Sequence, residues 1–147
     1  MRRDSSPDAH PSPATLAAYQ RSLDRVFALS RNLIPEAPTW QAGLYQSVRA
    51  CYTEMRSHPD ALRLHFIATA TDAAVQRARG RHRARLLALL DETRDDAPPL
   101  LHAELLLSMI HRTLRAKIVD GEAPPDLDDA EQTFATLLFD YRAPTAA

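Results

Sequence analysis

Apolar residues along this chain recur at three- and four-residue steps in six blocks separated by turns, most of them marked by proline. That rhythm predicts amphipathic helices. Leu16, Tyr19, Leu23, Val26, Phe27 and Ile34 predict a first helix that opens at Pro13, is capped by Ser12 and ends near Pro35. A second, from about Thr39 to Arg56, gathers Trp40, Leu44, Val48, Cys51 and Met55 on one face, which Tyr45 and Tyr52 extend. His58-Pro59 ends it, because a residue before proline is pushed out of the α region, and Pro59 opens a third helix to about Thr69. There Leu62, Leu64, Phe66, Ile67 and Ala68 surround the axis, so this helix is predicted to be central and covered on several sides.

A fourth helix, capped by Thr71 or Asp72 and running to about Glu92, turns Val75, Ala78, His82, Leu86, Leu89 and Leu90 inward and leaves its arginines on the remaining circumference. Gly80 weakens its middle by about 1 kcal/mol relative to alanine. The fifth covers Leu100 to about Val119 and stops at Gly121 and Pro124-Pro125. The sixth, Asp126 to Tyr141, carries Leu127, Ala130, Phe134, Leu137, Leu138 and Tyr141 at a spacing close to a heptad seam. Strand signals are missing: no Asn-Gly or Asp-Gly dipeptide joins two alternating runs. The expected fold is all-α, a six-helix antiparallel-type bundle over residues 13–142, with 1–12 and 143–147 as tails. The opening MRRDSSPDAHPS has too little apolar surface to offset the cost of ordering.

Composition narrows the function classes. With 45% apolar and 25% charged residues the chain reads as an ordinary globular domain. Its longest apolar runs, Leu86–Leu90 and Leu105–Leu107, are far shorter than the roughly 20 residues that span a bilayer. No secretory signal is evident, so a cytoplasmic location is expected. Cys51 is the only cysteine, which excludes an internal disulfide and a cysteine-rich zinc site. The histidines lack a convincing metal spacing, and no cofactor motif is found. A net charge of −1 gives little support to non-specific nucleic-acid binding. Glu104, Ser108 and His111 share a helical face, but a triad needs its histidine between serine and carboxylate, so no enzyme is expected.

The order of elements resembles a known family. Leu16-Ala-Ala-Tyr19 through Asp24-Arg-Val-Phe27, then Trp40 opening the next helix, then His58-Pro59 followed by Ala61-Leu-Arg-Leu64, resemble the pattern of TetR-family transcriptional regulators in their ligand-binding and dimerisation half. The arginine-rich stretch 77–85 running into Leu86-Leu-Ala-Leu-Leu90 and the two terminal helices complete the likeness over about residues 13–142. The resemblance implies that the middle helices enclose a small, mostly apolar effector and that the last two helices pair with those of a second subunit. The family's helix-turn-helix would precede residue 13, where only an unpatterned tail is read, so DNA binding is expected only if that motif is supplied elsewhere.

Polar or polarizable groups on otherwise apolar faces nominate the ligand site: Trp40, Tyr52, Met55, His65, Phe66, Thr69, His82 and Met109. The fifth helix has two apolar faces. One carries Ala103, Leu106, Leu107, Ile110, Leu114 and Ile118, the other Leu101, Leu105 and Met109, so it must be covered twice. Leu106, Ile110, Leu114 and Ile118, with Phe134 and Leu138 of the sixth helix, are the expected homodimer interface. Two alternatives stand beside this reading. One is a purely structural helical dimer, the other a binder of nucleic acid or an acidic surface through Arg77–Arg85.

Overall fold

A computed structural model of the chain describes residues 10–68 and 72–120, and among these the structure is five helices with no strand. They are α1 (Pro13–Glu36), α2 (Trp40–Arg56), α3 (Pro59–Phe66), α4 (Ala73–Thr93) and α5 (Leu100–Asp120). The sixth expected helix, with Phe134 and Leu138, lies outside the described residues, as do Thr69 and the side chain of Ile118.

Three helix starts are capped by side chains, two of them at the expected Ser12 and Asp72. Ser12 Oγ accepts the Thr15 amide at 3.1 Å, Thr39 Oγ1 that of Ala42 at 3.1 Å, and Asp72 Oδ1 that of Val75 at 3.0 Å. Each satisfies an amide that a helix start would otherwise leave without a partner. The one clear difference in length is α3, which ends at Phe66 rather than near Thr69.

α1 is the seat of the bundle and packs mainly against α2 and α4, while α5 rests on α3 and α4. It buries Tyr19, Leu23, Val26 and Ile34 at helical spacing. Near its C-terminal end the chain passes close to α2: a Cβ on Gly43 would lie 3.2 Å from the Ile34 carbonyl oxygen and 3.3 Å from the Ala37 Cβ. A larger residue there would push the two helices apart. On the fourth helix the position of Gly80 is open, so packing does not require glycine there.

Two residues of the α4–α5 connection tie this end together. Arg94 Nη1 donates to the carbonyls of Ile34 at 3.0 Å and Ala37 at 2.7 Å, filling acceptors that the end of α1 exposes. Asp96 holds Arg94 with a 2.7 Å bond and accepts the Trp40 amide at 3.0 Å, capping α2. One ion pair therefore bridges two turns that are far apart in sequence. Arg94→Ala is expected to lower stability by about 2 kcal/mol, because it strands part-buried carbonyls and uncouples Asp96. Urea unfolding of the two proteins side by side checks this.

Candidate functional site

α3 is too short to be stable alone, so its position is dictated by its neighbours. Tyr19 of α1 and His65 of α3 share a hydrogen bond of 2.7 Å between the phenol oxygen and Nδ1, and the other ring nitrogen lies 3.8 Å from Cys51 Sγ on α2. Phe66 meets Tyr52 edge-on at 6.2 Å and stacks on His111 of α5 at 5.2 Å between ring centroids. These contacts fix α3 between α1, α2 and α5.

Beside them lies a small chamber of about 70 Å³. Val48, Phe66, Leu86, Ile110 and Leu114 give it an apolar wall, and Ser47, His82, Arg79, Arg83 and His111 are the polar groups at its surface. A groove of about 450 Å³ adjoins it, sharing Arg79, Arg83 and His111 and adding Leu105, Ser108, Met109, Arg112 and Arg115. The chamber alone is about half the size of an engineered cavity that binds benzene.

The polar groups here are poorly satisfied. Ser47 Oγ, both ring nitrogens of His82 and Arg83 Nε are buried without a hydrogen-bond partner among the described residues. His82 itself is only 6% exposed. Buried polar groups normally find partners, and each orphan costs about 1–3 kcal/mol. Arg83 is partly anchored, donating to the Glu104 carbonyl and to Ser108 Oγ.

Burial dominates the ionisation of this region. It pulls His82 from 6.5 to about 4, with Arg85 and Arg79 adding to the effect, and His111 to about 3, with Arg79, Arg83 and Arg115 adding. His65 is also held well below the ordinary range by burial and then by Arg79. Burial pushes the Cys51 thiol up to about 12 despite the opposing charge of Arg79. At neutral pH the three imidazoles and the thiol are uncharged, leaving the arginines as the cations of the site.

Of the expected ligand residues, the structure brings Tyr52, His65, Phe66 and His82 to the chamber. Met109 lies in the adjoining groove. Trp40 and Met55 are corrected: both are buried in the hydrophobic core and neither lines the chamber. Ser47, Arg79, Arg83 and His111 were not anticipated. The only sequence signal for Arg79 is its place four residues after Val75 and three before His82, beside the inward face of α4. The face of α5 that carries Glu104, Ser108 and His111 meets the site, because Arg83 reaches Ser108 and His111 stacks on Phe66.

No protein family, curated protein or solved structure matches this chain. The geometry of the residues therefore carries the functional argument.

A second correction concerns the dimer surface. Leu106, Ile110 and Leu114 are 2%, 2% and 1% exposed within a single subunit, because this face of α5 covers α3 and α4. The face left open is the other one, with Leu101 62%, Leu105 54% and Met109 53% exposed. The arginines of the 77–85 stretch likewise present no single surface. Arg77 and Arg81 point to solvent, Arg79 and Arg83 line the chamber, and Arg85 lies 3.9 Å over the Phe27 ring and pairs with Asp24 at 3.0 Å. Among the described residues no group of three His, Cys, Asp or Glu side chains could hold a metal ion, and no helix is long and apolar enough to cross a membrane.

The depressed histidines make the fold acid-sensitive above the carboxylate range. As pH falls below 6.5 the unfolded chain takes up protons while folded His82 stays neutral, so stability present at higher pH is lost toward pH 4. For His82 alone the loss is on the order of 2 kcal/mol at about pH 5. Denaturant midpoints at about pH 7.5 and about pH 5 should differ clearly in the wild type and by much less in His82→Gln. An equal fall in both proteins would remove His82 as the cause.

Proposed function

We propose that this chain is a ligand-sensing and homodimerising regulatory domain of the TetR type, which takes a small, mostly apolar molecule between α2, α3, α4 and α5. The observation that carries this reading is the chamber itself, where an apolar wall meets a few convergent polar groups with atoms left unpaired among the described residues. Among the described residues such groups concentrate at the chamber, so a filled scaffold core is a poorer description of this place. The helix order and the TetR-like residues of the sequence support the same reading. Contact with DNA is assigned to a helix-turn-helix supplied elsewhere.

Dimerisation is assigned to the open face of α5. Leu101, Leu105 and Met109 recur every four residues and form an exposed apolar stripe, the kind of surface that a two-fold interface between copies would cover. Light scattering on the eluting peak should give twice the 16.4 kDa of one chain, and Leu105→Glu should shift it to monomer while the helical circular dichroism stays unchanged. A wild-type monomer at micromolar concentration would overturn the dimer.

Sensing is tested by thermal unfolding against a panel of small aromatic and aliphatic molecules, neutral and charged. A ligand at about 100 times its dissociation constant adds about 2.7 kcal/mol, a rise in midpoint that saturates with dose. No saturating rise with any member at millimolar concentration would refute the sensing role.

A further inference from the structure

The charges around the chamber are one-sided. Arg79 and Arg83 belong to both chamber and groove, Arg112 and Arg115 extend the groove, and among the described residues no aspartate or glutamate lines either. Arg79 is half-buried, yet it makes no hydrogen bond or ion pair among the described residues. Its own neighbours include another cation, Arg83. A desolvated cation without a counter-charge is among the costlier arrangements a fold can keep. Other arginines of the bundle show the usual solution: Arg25 pairs with Glu54, Arg85 with Asp24 and Arg94 with Asp96.

We propose that chamber and groove together form a site for a short-chain aliphatic carboxylic acid, its carboxylate held between Arg79 and Arg83 and its alkyl chain against Phe66, Leu86 and Ile110. The inference rests on the ligand-sensing reading and specifies the chemistry of the ligand. Guanidinium groups match a carboxylate with paired parallel N–H donors, and such charge-assisted bonds are about twice as strong as neutral ones. Arg83 is already oriented by the Glu104 carbonyl and Ser108 Oγ, while its Nε remains unpaired. His82, buried with both nitrogens unpartnered at the chamber wall, can donate from one nitrogen without bringing a charge. The apolar wall and the small volume select the remainder of the molecule. A space of about 70 Å³ accepts a thin alkyl chain more readily than an aromatic ring. Water alone could fill the chamber, but it would bring Arg79 no counter-charge.

The experiment is calorimetric titration of the full chain with hexanoate, hexanamide, hexylamine, acetate and inorganic phosphate. Hexanoate is expected to bind, with hexanamide and acetate each weaker by about tenfold or more and hexylamine not binding. Arg79→Gln should bring hexanoate down to the level of hexanamide and leave hexanamide unchanged. It should also raise the thermal midpoint of the ligand-free protein, because the uncompensated cation is gone. Arg81→Gln, on the exposed side of the same helix, should alter neither. The acid-against-amide comparison needs only the wild type, so it decides even where a variant folds poorly. Equal binding of acid and amide would overturn selection for a carboxylate and leave the sensing role standing. Equal binding of phosphate and hexanoate would overturn the alkyl contribution and with it the assigned class. Failure of hexanoate to bind while another member of the wider panel does would sink the carboxylate site alone, whereas silence of the whole panel would end both readings.

Discussion

The bond between Tyr19 and His65 decides where the short central helix lies, and the chamber follows from that placement. An isolated helix of eight residues has little stability in water, so α3 is a passenger of tertiary contacts. Joined to α1 by one buried hydrogen bond, it places Phe66 against both Tyr52 and His111. α2, α4 and α5 all pack against α3, and the space the four helices fail to fill is the candidate site. Rigid parts surround it: the cap at Asp72 starts α4, and the Arg94–Asp96 pair pins the turn on which α2 begins.

Polar satisfaction differs sharply between the frame and the site. The starts of α1, α2 and α4 are closed by side chains, and Ser30 donates its hydroxyl to the Val26 carbonyl. Around the chamber Ser47, His82 and Arg83 keep donors or acceptors that are unmet among the described residues, in a largely apolar setting. Proteins tolerate such departures mainly where function requires them. The neighbouring histidines respond by staying neutral, which concentrates the positive charge on two guanidinium groups.

The frame was largely legible in the sequence and the site only in part. Ser12 and Asp72 announced helix starts because a short polar side chain beside an apolar repeat has one favourable local geometry. His82 stood out as a polar residue on an apolar face. Arg79 did not, since arginines on a helix mostly point to water and the tilt of a neighbouring helix cannot be read from periodicity. The same limit explains α5. Its two apolar faces are visible in the sequence, but which one turns inward is set by where α3 and α4 lie, and it is the face with Leu106, Ile110 and Leu114 that is buried within the subunit. Trp40 and Met55 fill core space near the second helix for the ordinary reason that large apolar side chains do.

Cys51 contributes to the chamber wall, is 8% exposed and is held protonated by burial. The thiolate is the form that attacks alkylating reagents, so this lone sulfur is shielded both by the helices over it and by its own proton. Covalent capture must await a transient parting of those helices. The labelling rate of a single native residue thereby counts how often the bundle breathes, and an occupant of the chamber would slow that clock without any engineered tag.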